Sequence, residues 1–421
     1  MEKLKNKVVA TLRWSEKYTK TDMLYLFKGG FWGIFSQIVV SVSTFLLAIS
    51  FAHFISKEAY GEYKYILSLA SILGAFTLTG LGTAVARSVT QEYEGTLNDT
   101  FWKNIRWSVL FMLIALSTSV YYFVNGNNSI GTAMLVVGSF SPFFNSTNLY
   151  NAYLIAKKDF KRSAIYFGIV GNLFPSLCIF VAILLTNKPL WLITTYFVSN
   201  TLIGIILYTR VIKIYKPNNK VDPEALGYSK HLSIMNILLV VANNVDQVLV
   251  FHYIGAAGVA VYNFAIAIPD QIKGPMKSLS SLIFPKFTER EDAEIRSGMK
   301  NKIVLLFCAS VIMIGIYIIL APYIFHIFFP KYLDSIFYSQ ILSLSLLGMA
   351  SIPAETYLSA KKKIKEQYAV NVLVSITQII ITFLFIFYLG LIGTVAAKVI
   401  TRLLFSLMNV ALYEKASKQT I

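Results

Sequence analysis

The sequence predicts an all-α membrane protein of about twelve transmembrane helices, in two six-helix bundles with both termini in the cytoplasm. Composition, the sidedness of positive charge and an internal repeat carry this prediction. Of the 421 residues, 56% are hydrophobic and 14% charged, against a usual charged share of about 25%. A soluble chain this apolar lacks the polar surface to cover itself. A soluble enzyme and a nucleic-acid-binding protein are thereby excluded, despite the net charge of +17. On a membrane protein that excess reads as cytoplasmic loop charge.

The elements follow in chain order. The basic segment 1–23 places Leu4, Val8 and Leu12 every fourth residue between lysines, the pattern of a short amphipathic helix on an anionic leaflet; a frayed basic tail fits equally. It is no cleavable signal, because the apolar run behind it is too long. Apolar runs then mark spans at 24–54, 64–85, 105–124, 131–155, 163–185 and 190–209. A second set follows at 232–254, 259–284, 303–324, 336–360, 368–389 and 392–413. The chain thus divides into an N-terminal bundle (24–209), a cytoplasmic linker (210–231), a C-terminal bundle (232–413) and a cytoplasmic tail (414–421). Pro217, Asn218, Asn219 and Pro223 give the linker its composition.

Charge fixes the sides. Thirty of the 38 lysines and arginines fall on one set of alternating connections. Lys57, Lys64, Lys188 and Lys331 fall on the other. The richer side is cytoplasmic. The two halves also echo one another. Tyr153-Leu-Ile-Ala-Lys-Lys-Asp-Phe-Lys161 aligns with Tyr357-Leu-Ser-Ala-Lys-Lys-Lys-Ile-Lys365, each closing the fourth span of its half. The segment from His53 to Tyr63 likewise aligns with His252 to Tyr262. Six spans per half is an even number, so the repeat is parallel, about an axis along the membrane normal.

Polar groups inside spans cost about 2.5–3.5 kcal/mol each on insertion scales, so each needs a reason. Asn236, Asn243 and Gln247 make one polar stripe beside Asp246. Span eight carries Pro269, Asp270, Lys273, Gly274, Pro275 and Lys277. Two prolines around a glycine predict a broken helix, with Asp270, Lys273 and Lys277 on one face. Asp270 is placed to compensate Lys273 at i, i+3. Span twelve adds Lys398 and Arg402. Lys277 and Lys398 are also placed to snorkel, and Glu355 to be an ordinary helix-end residue. Milder stripes at Ser141, Asn145, Asn148, at Ser351, Glu355, Ser359, and at Asn371, Ser375, Gln378 read mostly as glue between helices. Four interior cations against two or three carboxylates give a cavity biased toward anions. Cys178 and Cys308 sit in apolar runs, and the four histidines lie far apart. Neither a disulfide framework nor a metal site is expected. No nucleotide signature is present, so no cofactor is expected.

Three local patterns carry a resemblance: Leu26-Phe-Lys-Gly-Gly-Phe-Trp-Gly-Ile-Phe-Ser-Gln37, the turn Lys57-Glu-Ala-Tyr-Gly-Glu-Tyr63, and the exit Ala84-Val-Ala-Arg87. Together with length and span count, they resemble the O-antigen and capsular repeat-unit flippases of the multidrug/oligosaccharidyl-lipid/polysaccharide exporter superfamily. The resemblance implies translocation of an undecaprenyl-pyrophosphate-linked oligosaccharide across the cytoplasmic (inner) membrane by alternating access. The product would serve capsule or lipopolysaccharide synthesis, alongside other polysaccharide-assembly proteins. It implies substrate-binding cations of the types present at Lys28, Arg87, Lys273, Lys277, Lys398 and Arg402. Asp246, Asp270 and Glu355 are the candidates for a coupling proton or sodium ion. The related lipid II flippases carry two further C-terminal helices, which this sequence lacks after Tyr413. The alternatives are a cation-coupled multidrug exporter of the same superfamily, and a membrane-embedded glycan polymerase or ligase. The first would favour buried carboxylates. The second would need an outer domain with acid/base groups, whereas the longest outer connection, 325–335, is short.

Overall fold

The computed structural model describes residues 23–289, 292–361 and 363–418, the side chains of 23–30, 274–286, 288, 289, 293, 364 and 418 excepted. The N-terminal pattern at Leu4, Val8 and Leu12 lies outside these residues. Apolar runs become helices because a helix satisfies its own backbone groups where water is absent. The first half comprises α1 (Met23–Phe54), α2 (Lys57–Gly74), α3 (Leu81–Thr90), α4 (Thr96–Val124), α5 (Asn128–Thr147) and α6 (Leu149–Ala156). It closes with α7 (Phe160–Ser163), a π-helical stretch (Ala164–Val170), α8 (Gly171–Leu185) and α9 (Pro189–Tyr215). The second half holds α10 (Ala225–Tyr253), α11 (Ala256–Glu289), α12 (Asp292–Phe328), α13 (Ser335–Ser343), α14 (Ile352–Ala360) and α15 (Ile364–Lys418). A 3₁₀ segment, Leu344–Ser351, joins α13 to α14. Among the described residues there is no strand.

Eight helical segments among the described residues are long and apolar enough to cross a membrane. One of them, Lys365–Ser417, has 53 residues, or about 80 Å at 1.5 Å per residue, far beyond a hydrocarbon core of about 30 Å. It cannot run straight. Gln378 donates to the carbonyl of Ala242 at 2.7 Å, and Lys398 reaches Asp246 at 2.7 Å. These partners are one turn apart on α10, so residues twenty apart on α15 lie level. The chain folds back at Gly390, whose φ of 61° and ψ of −136° suit a residue without a side chain.

Local chemistry explains other boundaries. Ser56 caps α2 by accepting from the Ala59 amide at 3.2 Å, and Asn127 caps α5 by accepting from Ile130 at 3.1 Å. The predicted span 64–85 is divided at residues 75–80, where Thr77 turns its hydroxyl onto the Gly74 carbonyl. The predicted break in span eight does not occur. Residues 256–289 form one helix through Pro269 and Pro275, as spanning helices permit when neighbouring helices support the backbone.

The first half packs α4 on α5, α5 on α9 and α8 against α1, and the second packs α10 on α15 and α11 on α13 and α14. Joining them, α2 lies against α10 and α11. Gly61 makes this approach feasible: a Cβ there would fall 1.7 Å from the Ala256 carbonyl oxygen. Gly80 does the same further along, where a Cβ would sit 2.6 Å from the Ser229 carbonyl oxygen. At the Lys57 end the halves are sealed. Tyr60 packs on Phe264 at 4.9 Å, Phe264 on Tyr332 at 4.0 Å, and Phe45 against Phe328 at 5.3 Å. Lys57 pairs with Asp334 at 2.6 Å, and Lys331 donates to the His53 carbonyl at 2.7 Å. At the opposite end the linker is tied to the first half. Asn218 donates to the Glu92 carbonyl, and the Asp222 amide to the Thr96 hydroxyl, both at 2.9 Å.

Candidate functional site

The second half gathers five ionisable groups from three helices, with a serine from the 3₁₀ segment among them. Asp246 comes from α10, Asp270 and Lys273 from α11, Lys398 and Arg402 from α15. Each pair shares a helix face one turn apart, so all five meet in one region. The 3₁₀ segment packs between α12 and α15 and contributes Ser345. Tightened turns inside a helix re-aim side chains, and such places recur at functional hinges.

Two layers result. In the dry layer Lys398 contacts Asp246 at 2.7 Å, with side-chain exposures of only 9% and 2%. The Tyr262 hydroxyl donates to the same carboxylate oxygen at 2.7 Å, and the Gln247 amide to the other at 2.9 Å. In the wetter layer Arg402 faces Asp270, with Nη2 donating to Oδ2 at 2.9 Å and Nη1 lying 2.8 Å from Oδ1. Lys273 stands 3.7 Å from Asp270 and donates to the Ser345 hydroxyl at 3.0 Å. Arg402 shares that hydroxyl at 3.2 Å. The Asp270 side chain is 40% exposed and that of Arg402 24%, so this layer is more open than the one around Asp246. Three cations face two carboxylates, leaving one positive charge in excess. Low dielectric makes that excess felt by any anion that enters.

Several sequence expectations are corrected here. Lys398 does not snorkel; it is buried on Asp246. Asp270 does not chiefly serve Lys273, because Arg402 approaches it more closely. Arg87 is not in the cluster: it lies exposed at the end of α3, 5.0 Å from the Tyr228 ring centroid and 4.0 Å from Glu224. Glu355 is exposed on α14, and its backbone carbonyl accepts from Gln367 at 3.4 Å. The side chains of Lys28 and Lys277 lie outside the described residues. The stripe on α10 serves several partners: Gln247 accepts from Asn263 at 3.0 Å, Asn236 donates to Thr79 at 3.4 Å, and Asn243 is exposed. Gln378 acts as glue, binding α15 to α10.

Sequence reasoning missed Tyr262 and Ser345. Tyr262 precedes Asp270 by about two turns of α11, and as a neutral aromatic in an apolar run it carries no charge to mark it. Also missed was a paired fastening in the two basic junctions. Lys157 bonds to Glu94, whose other oxygen accepts from Tyr153 at 3.0 Å. In the second half, Lys361 bonds to Asp292 at 3.1 Å, close to buried Tyr357. A Tyr and a Lys at i, i+4 beside an acidic residue before the third span of each half was the available signal.

With helices that cross the membrane many times and a charged cluster buried among them, the chain is a multi-pass membrane protein. Its fold is that of the MOP-superfamily transporters. An inward-facing multidrug resistance MATE family transporter of that superfamily matches with a TM-score of 0.70 at 13% identity, over 90% of this chain and 95% of that one. The outward-facing conformation of such a transporter gives 0.63 at 13% identity, over 94% and 97%. A MOP-superfamily transporter from Pyrococcus furiosus Vc1 (DSM3638), described by a reverse polarity of its binding pocket that suggests a different function, gives 0.55 at 14% identity, over 94% and 95%. No curated protein matches the chain. The family model for Polysaccharide biosynthesis protein matches residues 26–290. The chain belongs to that family.

Proposed function

We propose that the protein is a flippase carrying undecaprenyl-pyrophosphate-linked oligosaccharide repeat units across the cytoplasmic membrane by alternating access, for surface polysaccharide synthesis. The observation that carries this reading is the cluster of Lys273, Lys398 and Arg402 around only two carboxylates, partly exposed among apolar helices. Guanidinium and ammonium groups together suit pyrophosphate. The anion competes with Asp270 for Arg402 and adds Lys273. Protonation of Asp270 releases Arg402 to the substrate, which gives a coupling proton a defined place; a sodium ion bound at Asp270 acts in the same sense.

Twelve spans follow if α2–α3, α5–α6 and α11 cross as well and α15 crosses twice. The matching Lys157–Glu94 and Lys361–Asp292 fastenings support a parallel duplication. With the lysine-rich connections in the cytoplasm, the Lys57 end faces outward, and the aromatic contacts there close the outer side. A drug-cation exporter is less well served by the cluster, because both carboxylates are already engaged by protein cations.

The test is deletion of the gene followed by analysis of lipid-linked intermediates, complemented with Lys273→Ala or Arg402→Ala. Undecaprenyl-linked oligosaccharide is expected to accumulate on the cytoplasmic side, and neither variant to restore surface glycan at normal membrane expression. A deletion strain with unchanged lipid intermediates would refute the proposal.

A further inference from the structure

The first half contains a cavity that the charged cluster does not use. Its volume is about 570 Å³, within the range of about 300–1,000 Å³ typical of small-molecule sites. The wall is largely apolar, with Val240 of α10 closing one side, but it carries a polar strip: Asn104, Ser141, Asn145 and Asn148 supply amides and a hydroxyl, while Phe144 and Tyr196 supply rings. Among the described residues, no charged one lines it. The space beside two wall glycines is open, since a Cβ on Gly74 or Gly82 would meet nothing within 4 Å.

One polar atom of the wall is also uncommitted. Asn104 donates to Ser146 at 3.1 Å, but its Oδ1, in a residue only 3% exposed, accepts from no described group. Ser141 is buried to the same degree. Native proteins pair nearly all such buried groups with protein or with a bound molecule. The stripe at residues 141, 145 and 148 lines the hollow, whereas Ser146, on the neighbouring face, accepts from Asn104 and ties α5 to α4.

We infer that this cavity binds the sugar moiety of the transported lipid, as uncharged pyranose rings stacked on Tyr196 or Phe144 and hydrogen-bonded by Asn104, Ser141, Asn145 and Asn148. The inference rests on the flippase reading and extends it to a division of labour, with pyrophosphate in the second half and glycan in the first. Amides and hydroxyls both donate and accept, which matches sugar hydroxyls. A uronate or a protonated amino sugar would be desolvated here without a counter-charge, so neutral rings are selected. The same lack of a carboxylate disfavours an organic cation.

The probe is the glycan released by mild acid from the lipid-linked intermediate that accumulates in the deletion strain. It is presented to the purified full-length protein in nanodiscs and read by saturation-transfer difference NMR. Transfer to sugar ring protons is expected with the native protein. Gly82→Leu, which fills open space without a clash at Cβ, is expected to abolish it. Asn145→Ala is expected to weaken binding about fivefold, the loss of one hydrogen bond. Titration of inorganic pyrophosphate into the same samples reports that each variant is folded. No transfer with the native protein, undiminished transfer in both variants, or parallel loss of glycan and pyrophosphate would overturn the inference. A deletion strain without lipid-linked intermediate would instead overturn the flippase reading itself.

Discussion

Lys398→Met gives the sharpest test of the buried layer. The change keeps most of the side-chain volume and removes the cation, stranding Asp246 at 2% side-chain exposure with only the Tyr262 hydroxyl and the Gln247 amide for support. Breaking a buried pair from one side costs about 3–5 kcal/mol, because an uncompensated charge remains. Asp246→Asn alone strands Lys398 and is expected to cost a similar amount. The double variant Lys398→Met/Asp246→Asn removes both charges yet leaves an oxygen to accept from Tyr262. It is expected to return to within about 1–2 kcal/mol of the native protein, since neutral replacement of a buried pair is often tolerated. The implied coupling of at least about 4 kcal/mol is far above the scatter of independent sites. Equilibrium unfolding by sodium dodecyl sulfate in mixed micelles measures all four proteins. A single-variant cost below about 1 kcal/mol, or a double variant no more stable than the weaker single, would refute the reasoning.

Other outcomes follow from the closed end and the linker. Lys57 and Asp334 are 29% and 52% exposed, so their pair contributes about 0–1 kcal/mol; Asp334→Asn should shift the balance of conformers by no more than about fivefold. Spin labels at exposed Val124 and Tyr388 would read that shift as a change in the two distance populations. Gly61→Ala should abolish transport at normal expression, because its Cβ would overlap the Ala256 carbonyl; native transport activity in this variant would contradict the packing. The Ser88 hydroxyl, bonded to Asp222 at 2.6 Å, holds that carboxyl below the usual carboxylate range, outweighing the opposing push of partial burial. A depressed folded value means that the linker tie is present above the ordinary carboxylate pKa of about 3.9 and is lost as pH falls through the lower one. Pepsin cleavage between Tyr215 and Tyr228 should therefore set in at a higher pH for Ser88→Ala than for the native protein. An unchanged onset would remove Asp222 as the cause.

The helical class and the family were legible because both rest on features that repeat along the chain. Apolar runs of spanning length survive any local detail, and the short patterns around Lys57 and Arg87 are read without knowing their contacts. Helix ends were less legible. The expected start at residue 105 moved to Thr96 because charged residues such as Asp99 and Lys103 pair with each other at 2.7 Å and continue the helix beyond the lipid. The prolines of span eight misled for the opposite reason: their cost is local, whereas α11 is held by tertiary packing against α2, α13 and α14. At the site, charge at depth singled out Asp246, Asp270, Lys273, Lys398 and Arg402, and the structure brings these five together. Their pairing was not readable, since Asp246 and Lys398 are 152 positions apart and only the turn at Gly390 sets the register. Neutral residues were the real blind spot. Asn104, Ser141 and Ser345 look alike in sequence whether they fasten helices or face a hollow.

The aromatic seal at the Lys57 end has a thermal consequence. Separating Tyr60, Phe264 and Tyr332 wets apolar rings, and the penalty for doing so weakens on cooling. Chilled membranes should thus hold a larger share of molecules with that end ajar, and cold, more than salt, should govern how tightly it shuts.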